Sequence, residues 1–223
     1  MTHFLSPRLL SPRLSPLWRI ALLALLMMAP AAGADTRPRL IALGDSLTAG
    51  YGLATKDSFP AQLQARLKAQ GVEVEIINSG VSGDTSAGGL ARLQWVLSGH
   101  PDEVLLELGA NDALRGIDPA LTEANLDQIL TRLEEAKIRV MLLGMRSPGN
   151  WGPEFQAAFD AIYPRLAQKH GVPLYPFFLE GVARKADLNQ PDGLHPNEKG
   201  VAAIVDRLAP LVADFLEAKG AHQ

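Results

Sequence analysis

Five short apolar runs, separated by segments of helical spacing, constrain this chain more than any other feature. They cover residues 39–43, 72–77, 103–108, 139–144 and 172–177. Each has strand length and is rich in Leu or β-branched residues. Between them apolar residues recur every three or four positions. Phe59, Leu63 and Leu67 form one stripe, with Gly71 where a helix C-terminus belongs. Leu90, Leu93 and Leu97 form a second, and Leu126, Ile129, Leu130 and Leu133 a third. Phe155, Phe159, Ile162 and Leu166 form a fourth, with a bend expected at Pro164. Val201, Ile204, Val205, Leu208, Val212 and Phe215 form the last, with a bend expected at Pro210. Strands alternating with helices predict βαβ units and a parallel sheet covered on both faces. The fold class is therefore α/β, a three-layer α/β/α sandwich. In such sheets ligands sit beyond the carboxyl ends of the strands, so the loop after each strand is the place to look for chemistry.

A chain of 223 residues with 47 % apolar and 20 % charged side chains supports one domain with an ordinary core. The net charge of −3 and the absence of a basic stripe argue against a nucleic-acid partner. With no cysteine there is no disulfide, thiolate nucleophile, Cys-based zinc site or lipidated Cys. At the start, Arg8, Arg13 and Arg19 precede the apolar run 20–28 and then Ala29-Pro30-Ala31-Ala32-Gly33-Ala34. A positive segment, a short apolar segment and small residues describe a secretory signal, and the run falls short of the roughly 20 apolar residues a spanning helix needs. Residues 1–34 are expected to be removed, after Gly33 or Ala34, leaving one domain over 35–223. The expected location is the periplasm or the medium, with no stable membrane anchor.

Four loops carry polar residues that can act together. The first run leads into Gly44-Asp45-Ser46-Leu47. A hydrolytic serine needs a base, and the base needs an orienting acid. Asp192-Gly193-Leu194-His195-Pro196 follows the last run, and His195 is the one histidine of five at the carboxyl edge with an acid close by. A solvated turn would contain the same residues, as would a serine capping a helix. A tetrahedral intermediate also needs preorganised donors. Gly80, after the second run, can offer a backbone N–H, and Asn111, after the third, a side-chain amide. Asp45 and Asp112 flank these residues and are expected to fix the loops by hydrogen bonding. Asp192, His195 and Glu198 form a weaker alternative as metal ligands, with no second histidine near in sequence. Gly-x-Ser-x-Gly, phosphate-loop and dinucleotide motifs are absent.

In the order Ser, Gly, Asn, His, these blocks resemble the SGNH hydrolases, also called GDSL esterases. The resemblance runs from about Leu40 to Leu216, and it favours the periplasmic branch with thioesterase, lysophospholipase and arylesterase activities. Residues 82–86, Leu90-Ala91-Arg92-Leu93, Glu107-Leu108-Gly109 and Ala161-Ile162-Tyr163-Pro164 carry that closer likeness. It implies a five-stranded, flavodoxin-like sheet and hydrolysis of carboxylic esters and thioesters through an acyl-serine. Ser46 would be the nucleophile, His195 the base and Asp192 its orienting acid, with Ser46, Gly80 and Asn111 binding the oxyanion. No cofactor or metal is implied, the partner is a small-molecule acyl substrate, and a monomer is expected. Two rival readings use the same fold: a carbohydrate O-acetyl esterase with a polar groove, and a ligand-binding module without turnover. Leu114, Trp151 and Phe155 are equally suited to lining an acyl groove or to packing under a loop.

Overall fold

The strands of this protein are apolar along their length because the sheet is covered on both faces. The computed structural model describes residues 37–218 together with Met1. The strands are β1 (Arg39–Gly44), β2 (Glu75–Gly80), β3 (Glu103–Glu107), β4 (Arg139–Leu143) and β5 (Leu174–Tyr175). All neighbours pair in parallel, in the order β2-β1-β3-β4-β5. Val104, Leu105 and Leu106 are consecutive, so they point to alternate faces, yet each is fully buried.

The described helices are α1 (Ser46–Ala49), α2 (Phe59–Ala69), α3 (Ser86–Ala91), α4 (Leu93–Ser98), α5 (Ala110–Leu114), α6 (Pro119–Glu135), α7 (Pro153–Asp160), α8 (Ile162–His170) and α9 (Glu198–Glu217). Helix α2 packs against α9, while α6 packs against α3 and α8. From β1 the chain moves outward to β2 and then crosses back over β1 to β3. Right-handed crossovers in opposite directions put α2 on one face and α3 and α6 on the other. The strand order therefore switches beside β1, and a ligand crevice opens there. The three-layer, five-stranded α/β/α fold is the one expected.

Element boundaries differ from the expectation where backbone chemistry overrides apolar pattern. β2 starts later than residue 72 and runs on to Gly80. Val72 instead closes the end of α2, its N–H donating to Leu67 O at 3.0 Å. β5 keeps only two of the six residues expected, because Pro173 and Pro176 bracket it and neither has an N–H for the ladder. The fourth stripe is two helices rather than one bent helix. Pro164 cannot donate to the carbonyl four residues back, at Asp160, and α7 ends at that residue. The second stripe is likewise split, at Arg92. Pro210 lies inside α9 without ending it. The leader expected over residues 1–34 lies outside the described residues, Met1 apart.

Candidate active site

Gly44 is in register with Gly80 of β2 and with Glu107 of β3, so three strands end at one height. At this point the chain leaves β1 for α1. A Cβ on Gly44 would collide with Thr48 and Glu107, lying 2.7 Å from Glu107 O, so only glycine allows the turn. Asp45 then caps α1, its Oδ1 accepting from Leu47 N at 2.9 Å. Ser46, the first residue of α1, is 9 % exposed, with its hydroxyl toward the loop that follows β5.

That loop folds back on itself. Gln190 N donates to His195 O (2.8 Å), and the Gln190 side-chain amide donates to Tyr51 O (2.7 Å) and Pro196 O (3.0 Å). Asp192 Oδ1 accepts from the N–H groups of Leu194 and His195 at 2.9 and 3.0 Å, leaving Oδ2 at 2.7 Å from His195 Nδ1. His195 Nε2 is 2.9 Å from Ser46 Oγ, although 149 residues separate the two. An ionised carboxylate only accepts, so Nδ1 carries the proton and Nε2 presents its lone pair to the Ser46 hydroxyl. The backbone N–H groups of His195 and Leu194, with the imidazole, hold the Asp192 carboxyl down to about 2. It is therefore ionised across the neutral range. The Tyr51 ring lies over the imidazole at 4.7 Å between centroids.

Asn111 stands at the start of α5, and its amide donates to Asp45 Oδ2 at 3.0 Å. One of its two N–H groups is thereby fixed, and the other is in no hydrogen bond among the described residues. Gly80 behaves differently from the expectation. Its N–H donates to Asn78 Oδ1 (2.9 Å), and its Cα packs so close to α1 that an added Cβ would lie 2.7 Å from Ala49 Cα. The structure thus brings Ser46, His195, Asp192 and Asn111 together but commits the Gly80 N–H elsewhere. The next turn, residues 81–84, closes with Asp84 N donating to Val81 O (3.0 Å) and places Gly83 at φ +86°. The N–H of Gly83 is in no hydrogen bond among the described residues.

Beneath the loops lies a buried polar layer, of which the sequence reading assigned only Asp45 and Asp112. Glu107 Oε2 accepts from Thr48 Oγ1 (2.7 Å) and Asp45 N (3.3 Å), and Oε1 has no partner among the described residues. Burial, reinforced by the Asp45 charge, pushes the Glu107 carboxyl well above the usual carboxylate range. Burial likewise raises Asp45, to about 6, against the pull of Leu47 N–H and the Asn111 amide. Arg92 ties the loop after β2 to the ends of β2 and β1 by donating to Asp84 Oδ2 (2.6 Å), Ser79 Oγ (3.0 Å) and Gly44 O (2.9 Å). Tyr163 donates to Leu108 O (2.8 Å) under the Asn111 turn. Asp112 accepts from Ser86 and Thr122, the loop-fixing role expected of it. Arg92, Glu107 and Tyr163 fall inside blocks that carried the family likeness. Gln190 had no such signal.

Ser46, Asn111 and His195 open onto a groove of about 560 Å³. Leu47, Leu114, Met145, Pro148, Phe177 and Leu179 give it apolar walls. Leu114 therefore lines the groove, whereas Trp151 donates to Ala113 O (2.8 Å) and Phe155 stacks on Phe159. A cleft of about 640 Å³ elsewhere on the domain holds His170, but Asp127 and Glu134 flank that imidazole and no serine faces it. An apolar groove opening on a serine–imidazole–carboxylate chain is equipped for acyl transfer. The model of the GDSL-like lipase/acylhydrolase family matches residues 42–203. The chain belongs to that family. It is 43 % identical over 201 residues to the thioesterase 1/protease 1/lysophospholipase L1 of Escherichia coli K12, covering 87 % of this chain and 94 % of that one. It is 40 % identical over 179 residues to an arylesterase of Vibrio mimicus, covering 80 % and 90 %. The crystal structure of AlinE4, an SGNH-hydrolase esterase, is 46 % identical with a TM-score of 0.69, covering 82 % of this chain and 98 % of that one.

Proposed function

We propose that this chain is a serine hydrolase of carboxylic esters and thioesters, with Ser46 as nucleophile, His195 as general base and Asp192 as its orienting acid. The observation that carries the reading is the Ser46–His195–Asp192 hydrogen-bond chain, with contacts of 2.9 and 2.7 Å, at the mouth of an apolar groove. Ser46 Oγ attacks the acyl carbon as its proton passes to Nε2. The oxyanion is met by the Ser46 N–H, the free N–H of the Asn111 amide and a backbone N–H of the loop after β2. For that third donor the candidate is Gly83, since the Gly80 N–H is bonded to Asn78. His195 then gives the proton to the leaving alkoxide or thiolate, and an acyl-serine remains. Water attacks the acyl-serine by the same route, and Ser46 is released with its proton.

The protein is also read as exported, with residues 1–34 as the leader. Support comes from the Arg8, Arg13 and Arg19 segment, the apolar run 20–28 and the small residues before Asp35. Among the described residues no helix is long and apolar enough to cross a membrane. Sequencing the N-terminus of the processed protein tests the leader.

Hydrolysis of a p-nitrophenyl acyl ester, measured beside Ser46→Ala, tests the chemistry. Turnover is expected in the native protein and not in the variant. Equal rates in the two would remove Ser46 from the reaction.

A further inference from the structure

Single exposed apolar side chains are ordinary on a protein surface, and a cluster of them is not. Trp95, Leu121 and Leu211 are single exposed residues on α4, α6 and α9. Five others stand on the carboxyl edge of the sheet: Tyr51 (54 % exposed), Val81 (44 %), Leu114 (42 %), Trp151 (47 %) and Leu194 (51 %). All five lie on segments that follow the carboxyl ends of the strands, as the groove does. Leu114 and Leu194 line the groove, and Tyr51 lies over His195. Trp151 bonds to Ala113, beside Leu114, and Val81 N donates to Gly44 O two residues before Ser46. None of the five belongs to the core cluster.

The charge at this opening has one sign among the residues that line the groove. Arg146 and Arg184 are there and no carboxylate is. Arg146 is held over the Phe177 ring at 5.1 Å, and the exposed Arg115 follows Leu114 and donates to Gly83 O. Apolar side chains rimmed by arginines match an interface of acyl chains below and phosphates above. A second copy of this chain fits less well, because a symmetric contact would set arginines against arginines.

We propose that the rim of this groove is a reversible docking face for anionic phospholipid surfaces. Tyr51, Val81, Leu114, Trp151 and Leu194 enter the interface, and Arg115, Arg146 and Arg184 meet the head groups. Docking holds the mouth of the groove against the layer from which acyl chains are drawn. The face is independent of the chemistry proposed for Ser46, so it is tested without turnover.

The test uses the chain without residues 1–34, since among the described residues the core cluster lies wholly between Leu40 and Leu216. It carries Ser46→Ala to prevent hydrolysis and Trp95→Phe to leave Trp151 as the fluorescent reporter. Vesicles of phosphatidylglycerol with phosphatidylcholine should shift Trp151 emission to the blue, and brominated acyl chains should quench it. Pure phosphatidylcholine and added salt should weaken both effects. In a second protein with Ser46 and Trp95 intact, Val81→Ser with Trp151→Ser should lower vesicle binding about tenfold. Circular dichroism and the unfolding midpoint of that protein, compared with its parent, report whether it is folded. Trp151 emission that ignores vesicles would overturn the proposal even if the double variant failed to fold. So would equal vesicle binding by the double variant, or a lipid-free dimer that buries Trp151.

Discussion

The Asn111 side chain has two amide hydrogens and a different use for each. Asp45 fixes one, and that bond aims the other. If the free hydrogen meets the oxyanion, Asn111→Ala should lower kcat by about 10²–10³ with little change in KM for a short ester. Steady-state kinetics decide this, and an unchanged kcat would take Asn111 out of the oxyanion site. Ser46, His195 and Asp192, which the structure brings together, were singled out by side-chain type beyond predicted strand ends and by the family resemblance. The glycine was not legible. Gly80 and Gly83 are three residues apart, and no property of either type says which N–H is free. That follows only from where Asn78 Oδ1 points.

At the scale of elements, the meeting of β1, β2 and α1 explains what Gly80 does. Its Cα lies against the Ala49 backbone, which cannot give way as a side-chain tip can. Gly80→Ala should therefore destabilise the fold by about 1–3 kcal/mol and displace α1, with both losses visible in a denaturation curve and an ester assay. A Gly80→Ala protein with native stability would contradict the close approach. The carboxyl of Glu107 braces the same junction and makes a pH prediction. Its pKa is raised on folding, so above the unfolded value the native state holds a proton that the unfolded chain has lost. Stability then falls as pH rises, by up to about 1.4 kcal/mol per unit for one proton. Asp45 adds the same sign only up to about pH 6. Unfolding free energies measured from pH 6.5 to 9 should thus decline in the native protein and flatten in Glu107→Gln. Equal slopes would mean that Glu107 is ionised when folded. Neither residue's role at this junction was legible beforehand, since apolar pattern locates strands and says little about how closely they approach. The same limit applies to β5, shortened by Pro173 and Pro176, and to the break at Asp160 imposed by Pro164.

Across the whole molecule, the candidate site draws on loops far apart in sequence and held by one sheet, so global stability and site geometry are separable. Helix α9 touches both. Its middle is core: Leu208 is fully buried and belongs to the main apolar cluster. Its start is tied to the His195 loop. Asn197 caps α9 by accepting from Lys199 N and Gly200 N, both at 3.0 Å, and its amide donates to Asp187 O and Asn189 O. The layer order of this fold was legible from periodicity, because burial on two faces leaves an apolar run for every strand. The tie between α9 and the His195 loop was not, because an Asn before a helix reads only as a cap. Two substitutions separate these roles. Leu208→Ala opens a cavity and should cost about 2–5 kcal/mol, yet leave kcat unchanged wherever the protein is still folded. Asn197→Ala removes a cap worth about 1 kcal/mol and also frees the segment that sets His195, two residues away. Its kcat should fall further than that of Leu208→Ala, although its midpoint of unfolding falls less. Urea denaturation and ester turnover, measured on both proteins at one temperature, give the comparison. If the two variants lost activity in proportion to stability, α9 would serve the site only by keeping the domain folded.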